Sequence, residues 1–177
     1  MDHGKTLILG YGNPGRLDDG LGPALADAVA RELIEGVDVL SDYQLGAEHA
    51  AEISGYDRVV FADATVVGEE AFFLQRLLGR AAVSFSSHSM RPESVVALAE
   101  ECLGWRGRAY LLGIRGVEFD AFGERLSEPA REHLEAATRW VTDGLRSGDV
   151  GRYVTGEAIR DSVIYSTGGG ECTTASM

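Results

Sequence analysis

The chain has 177 residues, of which 45% are hydrophobic and 25% charged, and its formal net charge at pH 7 is -12. This composition is typical of a soluble globular protein and excludes a disordered or fibrous chain, and the length fits one compact domain. The negative charge disfavours binding to nucleic acid or to an anionic membrane, since both rely on clustered Lys and Arg side chains. Proteins or cationic species are therefore the expected partners.

The lack of a recognisable targeting segment and the placement of the two cysteines both favour the cytoplasm. No apolar stretch approaches the roughly 18 residues that a membrane span needs. Residues 1–10 lack the positive region and the long apolar run of a secretion signal. Cys102 falls on the apolar face of a predicted helix and Cys172 in a polar tail, so the two are not expected to form a disulfide. The sequence predicts a cytoplasmic protein with two free thiols.

Strands and helices alternate in the first half of the chain. The apolar run 6–9 ends at Gly10 and predicts a strand buried on both faces of a parallel sheet. Pro23 marks the first turn of the following helix, whose apolar stripe continues to Leu33. The same patterns predict a second strand at 37–40, a short helix at 48–53 and a third strand at 58–62.

The second half continues the alternation up to a polar tail. Segment 70–77 predicts a strand paired with 81–85 in a hairpin, and the following segments predict a helix opened by Pro92, a strand at 109–114 and a long helix from Ser127 to about Gly148. Such alternation predicts an open α/β sheet with helices on both sides. Residues 1–148 are thus predicted to form one domain, and residues 149–177 a mobile or partly ordered tail.

The first loop formally matches a nucleotide-binding motif. Residues 10–15 satisfy G-x-G-x-x-G after a strand, and Asp42 follows the second strand where a ribose-binding acid would stand. The motif needs its third glycine in the first turn of the helix, facing pyrophosphate, whereas the predicted helix begins near Pro23. Asp18 and Asp19 would also bring two negative charges to the pyrophosphate position. These mismatches weaken an NAD-binding interpretation.

Three polar side chains follow predicted strands and are expected at one edge of the sheet. Asp19 lies in the first loop, Asp63 follows the third strand, and His88 stands between a predicted strand and a predicted helix. Each has an ordinary structural interpretation, because Asp commonly caps helices and turns and a lone loop His is commonly a surface group. Functional groups of α/β proteins gather at the carboxyl ends of strands, so the combination favours a site.

Two carboxylates and one imidazole form a ligand set that suits nickel, zinc, iron or manganese, and three protein ligands leave positions open for substrate or water. Neither C-x-x-C nor H-E-x-x-H occurs, so a permanent structural zinc site is not expected. G-x-S-x-G is also absent, and Cys102 is predicted to be buried. Ser86, Ser87 and Ser89 are interpreted as loop-forming neighbours of His88. The pattern favours transient or catalytic use of a metal.

The same residues carry a resemblance to a known family. Over about residues 6–146, the sequence resembles the hydrogenase maturation proteases. The resemblance rests on segments 10–13, 18–22, 62–64, 87–89, 113–114 and 123–127. Residues 44–46, Gln-Leu-Gly, resemble a further substrate-facing loop of that family. The tail from residue 149 is not covered.

The resemblance implies both a fold and an activity. The implied fold is α/β: a single three-layer domain of the phosphorylase/hydrolase-like kind, with a mostly parallel sheet flanked by helices, plus the C-terminal tail. The implied activity removes the C-terminal extension of a nickel-iron hydrogenase large-subunit precursor after nickel insertion. Asp19, Asp63 and His88 match the positions that bind the substrate's nickel, although the first is Glu in some members.

Within this interpretation Asp19 and Asp63 are also the catalytic candidates. Nickel is expected to come with the substrate, no organic cofactor is expected, and the protein is expected to be a monomer. A water molecule is the simplest nucleophile, and the group that activates it stays open. Two other functions stay open as well: an NAD- or nucleotide-binding module, and a noncatalytic protein that docks nickel centres.

Overall fold

The computed structural model describes residues 4–79, 90–148 and 150–153. Within them, five strands form one sheet in the order β2-β1-β3-β5-β4. The strands are β1 Thr6–Tyr11, β2 Val37–Asp42, β3 Arg58–Thr65, β4 Phe72–Leu77 and β5 Arg108–Arg115. All neighbouring strands pair in parallel except β4, which runs antiparallel to β5. The carboxyl ends of four strands therefore meet at one edge of the sheet.

Helices cover both faces of the sheet. They are α1 Leu21–Arg31, α2 Glu48–Ile53, α3 Pro92–Leu103 and α4 Glu128–Arg146. Side chains alternate across the sheet, so Leu7 and Leu9 of β1 pack in one core with α2 and α3, whereas Ile8 packs in the other with α1 and α4. Burial on both faces explains why β1, β3 and β5 are nearly continuous apolar runs. The predicted three-layer α/β fold with a mostly parallel sheet is confirmed.

Local sequence determines several helix ends as predicted. The hydroxyl of Ser127 accepts a hydrogen bond from the N–H of Ala130 at 3.3 Å and so caps α4. Pro92 opens α3, and Gly104 ends that helix with a φ of 67°, a conformation that glycine adopts without strain. None of the described helices combines the length and the apolar character of a membrane span.

The described partner of β4 is β5, a pairing that the sequence did not predict. In the register of the sheet, Phe72 lies opposite Ile114 and Leu77 opposite Ala109, so β4 lies next to β5 at one end of the described sheet. Residues 81–85 lie outside the described residues, so their predicted pairing with segment 70–77 stays a prediction. Because α3 separates β4 from β5 in the chain, this pairing depends on long-range packing and not on the short spacing that suggested a hairpin.

Two predictions need correction. The first helix begins at Leu21, two residues before Pro23, and follows a 3₁₀ turn at Leu17–Gly20. Cys102, predicted to be buried, is exposed because the last turn of α3 faces solvent. Cys172 lies outside the described residues. Val150–Tyr153 form a second 3₁₀ turn in which Val150 is buried, and the domain boundary at 148 stays a prediction.

Candidate active site

Asp63 lies near the carboxyl end of β3, inside the strand and not after it as predicted. Its Oδ1 accepts a hydrogen bond from the N–H of Ala64 at 2.8 Å, which is the local turn-capping contact considered from the sequence. The side chain of Tyr11 also hydrogen-bonds the carboxyl group. Tyr11 ends the neighbouring strand β1, which pairs in parallel with β3. The strand geometry therefore places a phenol beside this carboxyl group.

Burial raises the pKa of Asp63 to about 7, and the nearby charge of Asp19 acts in the same direction. The hydrogen bonds from Tyr11 and Ala64 favour the ionised form and lower the pKa, but they do not offset the loss of solvent. At neutral pH, protonated and ionised Asp63 therefore coexist. A carboxyl group with such a pKa suits proton transfer in catalysis.

Asp19 belongs to the 3₁₀ turn that precedes α1, and its side chain is half-buried. Its Oδ2 accepts a hydrogen bond from the N–H of Asn13 at 2.9 Å, which closes the first loop on itself. Its charge contributes to the raised pKa of Asp63, so the two carboxyl groups are electrostatic neighbours. The structure thus brings together these two predicted site residues at one sheet edge.

The third predicted ligand, His88, lies outside the described residues, as do Ser86, Ser87 and Ser89. Within the described ranges, no group of three or more His, Cys, Asp or Glu side chains is arranged to hold a metal ion. The three-ligand site formed with His88 therefore stays a prediction.

Asp18 has a structural role that depends on residues far away in the chain. Its side chain is completely buried and accepts hydrogen bonds from the N–H groups of Val117, Glu118 and Ser127 at 2.7 to 2.9 Å, and from the Ser127 hydroxyl at 2.7 Å. Burial alone would raise the pKa of Asp18, but these hydrogen bonds lower it below its usual value. Asp18 therefore fastens the loop that carries Asp19 to the start of α4.

Glycine at two positions lets α1 approach the strand ends. A Cβ atom on Gly22 would lie 2.3 Å from the carbonyl oxygen of Tyr11 and 2.4 Å from that of Ala62. Gly12 has a φ of 137°, which disfavours other residues. Helix α1 begins six residues beyond Gly15, whereas a dinucleotide-binding motif has its third glycine in the first turn of the helix. These glycines shape the protein's own backbone.

His49 is a site-edge residue that the sequence interpretation missed. Its side chain is 2% exposed, its Nδ1 accepts a hydrogen bond from the N–H of Gly46 at 2.9 Å, and its Nε2 lies 3.5 Å from Oδ2 of Asp42. Because Nδ1 accepts, the neutral ring carries its proton on Nε2, directed to Asp42. The sequence did contain a signal for the burial of His49, because it stands four residues before the apolar Ile53 and such residues share one face of a helix. The ring holds loop 43–46 beside the end of β2.

Comparison with solved structures gives matches among hydrogenase maturation proteases. HycI from Thermococcus kodakarensis KOD1, a [NiFe] hydrogenase maturation protease, is 26% identical with a TM-score of 0.60; the match covers 81% of this chain and 92% of that one. The hydrogenase maturating endopeptidase HybD from E. coli is 20% identical with a TM-score of 0.59, over 81% and 93%. The endopeptidase HycI from Escherichia coli is 21% identical with a TM-score of 0.61, over 85% and 95%.

Neither protein-family models nor curated proteins give a match. The structural likeness nevertheless spans more than nine-tenths of each of these three proteins. It agrees with the family that segments 10–13, 18–22 and 62–64 resemble, and these segments form the sheet edge that carries Asp19 and Asp63. The chain thus has the fold of the hydrogenase maturation proteases, and its segments 10–13, 18–22 and 62–64 resemble theirs.

Proposed function

We propose that this protein is a cytoplasmic endopeptidase that removes the C-terminal extension of a nickel-iron hydrogenase large-subunit precursor after nickel insertion. The observation that carries the proposal is the pair of carboxyl groups, Asp19 and Asp63, at the carboxyl edge of a sheet with the fold of this peptidase family. A noncatalytic docking protein would not need a carboxyl group with a pKa of about 7 at that edge.

Nickel is part of the substrate in this proposal and marks a precursor that is ready for cleavage. Asp19, Asp63 and His88 would contact it, since carboxylate and imidazole groups suit nickel and three ligands leave positions for the precursor's own donors. Asp63 must be ionised for this contact, and its pKa lies close to the physiological range. Nickel bound to the precursor therefore favours the ionised form of Asp63.

Asp19 and Asp63 are also the groups proposed to assist cleavage. An ionised carboxylate accepts a proton from water as the water oxygen bonds to the carbonyl carbon of the scissile peptide. The C–N bond then breaks, and the carboxyl group returns the proton to the leaving amine. Coordination to nickel lowers the pKa of a carboxyl group, so this exchange falls to a carboxylate oxygen of Asp19 or Asp63 that does not contact the metal.

Cleavage by the purified protein tests this proposal. Nickel-loaded and nickel-free precursors are incubated with the unaltered chain and with Asp19→Asn, Asp63→Asn and His88→Ala variants, and the processed fraction is measured by intact mass. Asp143→Asn is the control, because Asp143 is an exposed carboxylate near the far end of α4. The three site variants should lose at least about 100-fold in rate, and the control less than twofold. Unchanged cleavage by the site variants would contradict the assignment.

A further inference from the structure

Large apolar side chains are exposed on two loops beside the candidate site. Val66 and Val67 follow β3, three and four residues after Asp63. Val117 and Phe122 follow β5, and the side chain of Phe122 is 91% exposed. We call these four residues, Val66, Val67, Val117 and Phe122, the apolar rim. Exposed apolar groups gathered at one edge are typical of an interaction surface.

The backbone beneath the apolar rim is fixed by hydrogen bonds. The N–H of Gly116 donates to the carbonyl of Thr65 at 2.9 Å, which joins the loops after β3 and β5. The N–H of Gly123 donates to the carbonyl of Gly15, also at 2.9 Å, and joins the second loop to the loop that carries Asp19. The carboxylate of Asp18 accepts a hydrogen bond from the N–H of Val117. A partner that binds the rim therefore meets a surface whose backbone is already ordered, which lowers the entropy cost of binding.

The same two loops are acidic. Segments 66–71 and 115–125 contain five carboxylates and two guanidinium groups. Arg125 neutralises one carboxylate, since its Nη2 lies 3.0 Å from Oε2 of Glu118. The other carboxylates are exposed and belong to Glu69, Glu70, Asp120 and Glu124. A complementary partner carries apolar side chains together with positive charges.

We infer that the apolar rim binds a segment of the hydrogenase precursor that carries bulky apolar side chains flanked by Lys or Arg. This inference rests on the proposed function, because the rim adjoins the edge at which the precursor would be cleaved. The apolar side chains supply affinity by leaving water, and the surrounding carboxylates select a cationic segment and speed its association. Binding at the rim is distinct from contact with nickel, so a precursor without nickel should also bind there.

Nickel-free precursor is the probe that separates this inference from the proposed cleavage. Its Kd for the unaltered protein is compared with the Kd for the Val117→Ala/Phe122→Ala double variant by biolayer interferometry. The matched control is Leu33→Ala/Leu103→Ala, because Leu33 is 89% exposed and Leu103 is as exposed as Val117, yet both precede strands at the opposite sheet edge. The rim variant should raise the Kd at least about 10-fold, and the control less than about twofold.

Charge is tested in the same assay by changing the salt concentration. Raising NaCl from 50 to 300 mM should weaken binding to the unaltered protein, and Glu69→Gln/Glu70→Gln/Asp120→Asn should remove at least half of that dependence, with Asp143→Asn as the control. Equal Kd values for the rim variant and the unaltered protein, including no measurable binding by either, would overturn the inference. Absence of nickel-dependent cleavage would instead overturn the proposed function, whatever the Kd.

Discussion

Replacement of Asp63 by Asn should make the protein more stable at alkaline pH while abolishing its activity. Burial raises the pKa of this carboxyl group from its ordinary value of 3.8 to about 7 in the folded protein. The folded state therefore binds the proton more tightly than the unfolded state does, and stability is lost as the pH rises through 7. Asparagine is neutral at every pH and avoids this loss.

The size of the effect follows from the pKa. If no solvent reached the group, a rise of its pKa from 3.8 to about 7 would lower the free energy of unfolding by ~4 kcal/mol once the group is ionised in both states. The side chain is half-buried and keeps contact with solvent. We therefore expect Asp63→Asn to raise the free energy of unfolding by about 2 kcal/mol above pH 7. The amide preserves packing, because its oxygen can accept from the N–H of Ala64. The difference should shrink as the pH falls from 7 towards 4, because the carboxyl group of the folded state stays protonated while that of the unfolded state, with a pKa of 3.8, becomes increasingly protonated.

Urea unfolding of both proteins at several pH values between 4.5 and 8.5 measures this difference. Asp143→Asn serves as the control, since an exposed carboxylate on α4 should change stability by less than about 0.5 kcal/mol at any of these pH values. If Asp63→Asn were less stable than the unaltered protein at pH 8, the ionised carboxylate would be a stabilising group, and the reasoning from burial would be refuted.

Three other substitutions test the contacts that shape the site edge. Asp18→Asn should cost about 3 kcal/mol in urea unfolding at pH 7, because an amide nitrogen cannot accept from the N–H groups that the carboxylate holds. Gly22→Ala should lower the melting temperature by at least about 10 °C, since its Cβ would lie within 2.4 Å of two carbonyl oxygens, whereas Gly55→Ala has room. His49→Ala should speed amide exchange at Gly46, which loses its acceptor.

Local patterns predicted most of the fold. The apolar runs of β1 and β3 are buried on both faces, and the helix limits marked by Pro92 and Ser127 depend on contacts within a few residues. The position of β4 depends on its partner β5, more than 30 residues further along the chain. Nothing in the local spacing indicates β5 as a partner of β4, whereas the predicted hairpin with residues 81–85, which lie outside the described residues, stays a prediction.

The site shows the same division between local and distant contacts. Placement of Asp19 and Asp63 at strand ends followed from parallel topology, and the structure makes them electrostatic neighbours. Asp18 looked equivalent to Asp19 in sequence, yet it bonds Val117 and Ser127, about 100 residues away. Distant donors of this kind leave no periodic signal. The contact of His88 with this site stays a prediction.

Cleavage by this protein is proposed to require nickel in the precursor. The most direct measurement incubates the purified protein with equal amounts of nickel-loaded and nickel-free large-subunit precursor and determines the C-terminal mass of each by intact mass spectrometry. The loaded precursor should lose its C-terminal extension, and the nickel-free precursor should keep its full mass. Equal shortening of both precursors, or of neither, would contradict it.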